Sequence, residues 1–166
     1  MSELESTNRL VSFDLVFRPS VDLISIVRQF VSSFYSQIIE NRDDGGATNL
    51  GLVTHELLEN AIKYGSGGET RLSVEFDRIV NRVAIRMWNS ASEVHIEALK
   101  RNVQELSEAS DAFAHYQEAM RRSAKRANGC GLGLARIAGE AEMSLSVTAE
   151  DGHVCVTAQT RPGATR

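Results

Sequence analysis

The sequence predicts an α+β two-layer sandwich: a mixed, mostly antiparallel sheet with helices packed on one face. Three observations predict it. Short runs rich in β-branched and aromatic residues recur along the chain, and two pairs of them are separated only by short turns, as in hairpins. Longer segments between the runs repeat their apolar residues at helical spacing. Strands joined by hairpins, with helices interposed, leave one sheet face for those helices to cover.

In chain order, "LVSFDLVFR" (10–18) reads as a strand. Pro19-Ser20 then opens a helix in which Leu23, Val27, Phe30, Phe34 and Ile38 fall on one apolar face. "NRDDGG" (41–46) is a loop. A second helix is expected from about Thr48 to Tyr64, stopped by Gly65 in a left-handed cap. "ETRLSVEF" (69–76) and "RVAIRMWN" (82–89) form a hairpin across "DRIVN". Residues 93–127 read as helical with a weak apolar pattern, either an ordinary surface helix pair or a mobile cover over a site. "NGCGLGLARIAGEAE" (128–142) is a glycine turn running into a helix. "MSLSVTAE" and "HVCVTAQT" close the chain as two strands, with Asp151-Gly152 as the tight turn between them.

The composition bounds the partners. The chain has 166 residues, 42% hydrophobic and 24% charged, which suits a single soluble domain with a real core. The prolines are Pro19 and Pro162, so no breaker divides the stretch between them. Residues 1–8 are expected to be a loose segment and 9–166 one domain. A net charge of −4 argues against nucleic-acid binding, which calls for a basic surface. No apolar run approaches the roughly 20 residues of a membrane helix, and the N-terminus lacks the basic-then-apolar pattern of a signal peptide. Cys130 and Cys155 form no CxxC pair. A cytoplasmic setting is expected, with both thiols acting as small buried residues.

The segment "THELLENAIKYG" (54–65) carries the chemistry and allows three readings. A zinc-protease helix needs a second histidine one turn after His55, and Glu59 stands there instead. A phosphorylated histidine needs a long dimerising hairpin, for which there is no room upstream. The third reading comes from helix geometry. With Glu56 at zero, Asn60 falls at about 40° and Lys63 at about −20°, so the three share one polar face while His55 points elsewhere. A carboxylate that orients a hydroxyl, an amide oxygen that suits Mg²⁺ and a lysine that offsets phosphate charge would make a nucleotide site. Such a face on its own is more often simply solvated. About 70 residues on, "GCGLGLARI" (129–137) places Gly129, Gly131 and Gly133 at a helix start, where bare backbone N–H groups and the helix dipole can meet an anion.

These two segments carry a family resemblance. "ELLENAIKYG" resembles the N-box, and "GCGLGLARI" the G2 box, of the GHKL (Bergerat-fold) ATPases. The single-domain layout is most similar to bacterial anti-sigma-factor serine kinases, and the resemblance covers roughly residues 10–160. It implies ATP and Mg²⁺ as ligands. Glu56 would then activate the attacking group, and Asn60 would ligate the metal. Lys63 would lie near the phosphates. Gly129, Gly131, Leu132 and Gly133 would line the phosphate end, and residues 93–127 would be the ATP lid. The family's third motif, Asp-x-Gly-x-Gly, is altered. Strand alternation puts Asn89 in the aspartate position, where it can still accept from an adenine amino group. Ala91 and Glu93 stand where the glycines belong and would crowd the site, while Trp88 faces away as packing.

The function implied is a bacterial regulator that binds Mg-ATP and controls a protein partner, by contact or by serine/threonine phosphorylation of an antagonist. A homodimer is compatible with it. Two alternatives stand beside it: a catalytically inactive module of the same fold acting by contact alone, and a detached histidine-kinase-type catalytic domain acting in trans. The basic run "RRSAKR" (121–126) reads as solvated, or as reaching phosphates on lid closure.

Overall fold

A computed structural model describes residues 9–38, 45–123 and 131–161. The elements run β1 (Leu10–Phe17), α1 (Val21–Ile38), α2 (Gly46–Tyr64), β2 (Thr70–Asp77), β3 (Arg82–Ser90), α3 (Glu93–Glu108), α4 (Ala112–Ser123), α5 (Leu132–Gly139), β4 (Met143–Glu150) and β5 (His153–Thr160). Five strands form one sheet in the order β1-β2-β3-β5-β4.

Every pairing in that sheet is antiparallel, so the parallel part of the expected mixed sheet does not occur among the described residues. The reason lies in the crossover. The long connection from β3 delivers β4 to the sheet edge in the direction of β3. The β4–β5 hairpin then folds β5 back between them. Two like-directed strands are thereby separated by an opposed one, and each neighbouring contact is antiparallel. Asp151 (φ 49°) and Gly152 (φ 74°) make this hairpin turn with two positive φ values, the geometry that matches strand twist.

The helices cover one face. Val31 of α1, Val53 and Leu57 of α2, Leu72 of β2, Ile85 of β3 and Ile137 of α5 are all at most 1% exposed and belong to one core. Each such aliphatic side chain contributes about 1.5–3 kcal/mol by leaving water. The opposite sheet face is polar. There Arg71 pairs with Asp14 at 3.1 Å and lies 5.0 Å over the Trp88 ring, which accounts for Trp88 pointing away from the helices.

Two local expectations are corrected. The buried stripe of α1 is Ile24, Val27, Val31 and Tyr35, not the stripe through Leu23, Phe30 and Phe34. The helix is apolar over a wide arc, and the edge strand claims the second half of it: Phe13 of β1 meets Phe30 and Phe34 edge-on at 5.0 and 4.6 Å. The helix α2 ends at Gly65 as expected, but Gly65 is extended (φ −65°, ψ 143°) rather than left-handed. Glycine is needed there for space, since a Cβ would strike the Ala61 carbonyl oxygen. The chain leaves the helix directly into a bridge with Ala91, which ties the end of α2 to the end of β3.

Residues 93–123 are two helices. Ile96, Val103 and Leu106 of α3 and Tyr116 of α4 are buried, enough apolar burial to seat both despite the weak pattern. Ser92 caps α3 by accepting from the His95 N–H, a standard role for serine.

Candidate functional site

The end of α2, the end of β3, α3, β5 and the start of α5 enclose a cleft. Two tethers set its shape. Gly65 bridges to Ala91, and the Ala91 N–H donates to the Gly152 carbonyl at 3.0 Å, drawing the β4–β5 turn to the same point. Leu57, Asn60 and Tyr64 line the cleft from α2, Met87, Asn89 and Ala91 from β3, and Gly131 from the start of α5. The Asn89 Nδ2 donates to the Ser90 carbonyl at 3.1 Å, which leaves Oδ1 free to accept. Among the described residues no hydrogen-bond partner meets the Asn60 amide.

A second cavity of about 210 Å³ continues from the first. Asn102 and Gly131 border both, and Leu132 and Arg122 line the second. Gly131 is left-handed (φ 89°) at the N-cap of α5, a backbone that strains any other residue. A Cβ there would also lie 3.1 Å from the Asn102 Nδ2. The first cavity holds only about 50 Å³, against roughly 300–1,000 Å³ for ligand sites. Two amides, Asn60 and Asn89, stand at the apolar end of the cleft, and a glycine helix start borders the other. Ala98, Leu99 and Asn102 of α3 line the cleft and narrow it.

The expected face of Glu56, Asn60 and Lys63 is divided. Asn60 lines the cleft. Glu56 is buried under α5, its Oε1 accepting from Arg136 Nη1 at 3.0 Å. Its Oε2 lies 2.5 Å from where a Cβ on Gly133 would stand, so the third glycine of the turn makes room for this carboxylate. Lys63 joins neither cavity. Its exposed ammonium pairs with Glu59 one turn earlier at 2.8 Å, and that bond, against the cost of partial burial, holds the Glu59 carboxyl below its usual range. His55 also turns to Glu59, at 3.4 Å, away from Glu56. Glu93 does not crowd the cleft: it is exposed in the first turn of α3. Ala91 does line the cleft, as does His95, whose ring meets Tyr64 at 5.4 Å. Gly129, Cys130 and the end of the basic run lie outside the described residues. Arg121 and Arg122, at its start, both pair with Glu118 at 3.1 Å.

Arg136 and Asn102 are the site residues that sequence reasoning missed. A charged residue in the apolar "GLGLARI" was the available signal for Arg136. Its partner Glu140 sits at i+4, a legible helix pair, but its partner Glu56 lies 80 residues away. Nothing in the sequence marks Asn102 among the polar residues of α3.

Comparison with known proteins agrees with this geometry. A chain in the crystal structure of the SiaB–SiaC complex from Pseudomonas aeruginosa superimposes with a TM-score of 0.65 at 18% identity, covering 95% of this chain and 94% of that one. At that identity the likeness is one of fold. No curated protein sequence matches. Residues 45–164 match the histidine kinase-, DNA gyrase B- and HSP90-like ATPases, a span from the start of α2 past β5 that contains both motifs. The chain belongs to that ATPase family.

Proposed function

We propose that residues 9–166 act as one ATP-binding regulatory domain that controls a protein partner, and that the chain phosphorylates a serine or threonine hydroxyl on that partner. The observation that supports this reading is the meeting of two distant segments. Asn60 and Gly131 border the same cleft, and Glu56 abuts Gly133. The amide of Asn60 suits Mg²⁺, which would neutralise charge on the phosphates. Asn89 Oδ1 would accept from the adenine amino group. The N-terminus of α5 offers Gly131 and Leu132 to the phosphates. Glu56 borders neither cavity; through Oε2, the oxygen that Arg136 leaves open, it would have to reach the cleft to take the proton of the attacking hydroxyl as its oxygen bonds to the γ-phosphorus and the bond to the β-phosphate oxygen breaks.

A protein partner is supported by the structural neighbour, which was solved as a complex of two proteins. Among the described residues no helix is long and apolar enough to cross a membrane. A second reading, a module that acts by contact alone, is favoured by one observation: α3 leaves only about 50 Å³ in the cleft.

Turnover separates the two readings. Purified protein is incubated with radiolabelled Mg-ATP, and phosphate release and protein labelling are followed with and without the products of adjacent genes. The kinase reading predicts labelling that vanishes in Glu56→Ala while displacement of a fluorescent ATP analogue persists. Labelling retained in Glu56→Ala would remove that carboxylate from the chemistry. Analogue binding without any turnover would establish the contact-only module.

A further inference from the structure

Arg136 sits in α5 between two carboxylates. Its Nη1 donates to Glu56 Oε1 at 3.0 Å and its Nε to Glu140 Oε2 at 2.9 Å. Tyr116, a buried residue of α4, lies close enough to Glu140 for the two groups to perturb each other. Burial pushes the Tyr116 hydroxyl up in pKa and the nearby Glu140 adds to this. Burial also pushes Glu140 up, but Arg136 and Tyr116 together outweigh it and leave that carboxyl below its usual range. Three side chains thus make one connected chain, Glu140, Arg136 and Glu56, with Tyr116 of α4 beside its Glu140 end.

The geometry restricts each member. A guanidinium is a planar fork, so one engaged along two of its N–H directions cannot turn without losing both bonds. Glu56 is held in the same way, with Oε1 on Arg136 and Oε2 against Gly133. The α4–α5 contact that brings Tyr116 into reach is close. A Cβ on Gly139 would lie 2.9 Å from both the Ala112 carbonyl oxygen and the Tyr116 Cβ. Neutralising a buried glutamate needs only Arg136. The second carboxylate fixes the direction in which Arg136 points.

We propose that Arg136 is the positioning residue of Glu56, and that α4 sets Arg136 through Tyr116 and Glu140, so that the seat of α4 on α5 is registered at the Glu56 carboxylate. The consequence for turnover rests on the kinase reading above; the clamp itself does not. Movement of α4 by a partner protein would then loosen or tighten Glu56 without that partner touching it.

Two measurements test this on the full chain. In the first, the guanidinium N–H signals of Arg136 are followed by NMR in ¹⁵N-arginine-labelled protein without nucleotide. Separate, slowly exchanging signals are expected in the wild type. They should shift or average in Tyr116→Phe, in Glu140→Gln and in Gly139→Ala, which wedges α4 away without touching Arg136. In the second, Arg136→Ala should lower kcat by about 100-fold, as a mispositioned group does, with KM for ATP unchanged. Arg136→Lys should recover part of the rate, and so should free guanidinium ions added to Arg136→Ala. Arg136 signals indifferent to Tyr116→Phe, Glu140→Gln and Gly139→Ala would overturn the link to α4. A kcat unchanged in Arg136→Ala would overturn the positioning role. A wild type without turnover would remove the kinase reading while the NMR measurement still decides the clamp.

Discussion

Gly133→Ala introduces a Cβ 2.5 Å from Glu56 Oε2 and 3.4 Å from its Cδ. The first distance is about 1 Å inside ordinary van der Waals contact, so one side must yield. The backbone of α5 is fixed by its buried neighbours Leu134 and Ile137, and the carboxylate is tethered to Arg136 at 3.0 Å. Overpacking of this kind costs about 1–3 kcal/mol. Weakening the charge-assisted bond adds part of a further 1.5–3 kcal/mol or so. Against this, alanine gains at most about 1 kcal/mol over glycine in a helix. The balance is a loss of about 2 kcal/mol, which lowers Tm by about 4–8 °C for a chain of this size. The assay is thermal and urea unfolding of four proteins: wild type, Gly133→Ala, Glu56→Ala and the double variant. The reasoning requires strong coupling. With Glu56 truncated, the alanine meets open space, and the second substitution becomes neutral or slightly stabilising. Equal destabilisation by Gly133→Ala in both backgrounds would refute the account of why this glycine stands here.

Other predictions follow from single sites. Asp77 accepts from Arg9 at 3.0 Å and from the N–H groups of Ile79 and Val80 at 3.0 and 3.3 Å. The Arg9 bond first, and these backbone bonds with it, hold its carboxyl below the usual range in spite of burial. Its stabilising effect is therefore present above about pH 4 and lost as pH falls through the lower folded value. Melting curves across acid pH should show Asp77→Asn less stable than wild type near neutrality, with the gap closing below about pH 4; a gap independent of pH would exclude the charged form. Ile85 is fully buried in the central strand, and Ile85→Ala should cost about 2–5 kcal/mol in urea unfolding. A cost below about 1 kcal/mol would mean that the core collapses around the gap. Asn89→Asp restores a charge to the polar group at the apolar end of the cleft and should tighten Mg-ATP binding. No change in affinity would count against an adenine contact there.

What the sequence made legible was local. Strands β1 to β5 were readable because alternation is set by neighbouring residues, and the Asp151-Gly152 turn because few residue pairs adopt two positive φ values. The family was readable because the two motifs combine particular residue types with a particular spacing. What failed depended on partners distant in sequence. The buried stripe of α1 is decided by where β1 places Phe13, and the extended Gly65 by a bridge to Ala91. Lys63 was assigned to phosphate by its helix face and the family resemblance, but Glu59 at i−4 pairs with it at the surface. The all-antiparallel order depends on β5 inserting between β3 and β4, which no local pattern encodes. Glu56 shows the limit best. Its chemical type was legible, but its surroundings, Arg136 and Gly133, come from a helix that folds against it 80 residues later.

The central claim is that Asn60 and the glycine start of α5 bound one nucleotide site. Titration calorimetry with ATP in Mg²⁺ and in EDTA, on wild type and Asn60→Ala, tests it directly. The account predicts saturable heat for the wild type in Mg²⁺, lost on removing the metal and lost in Asn60→Ala. A wild type silent at millimolar ATP, or an Asn60→Ala protein that binds as the wild type does, would contradict it.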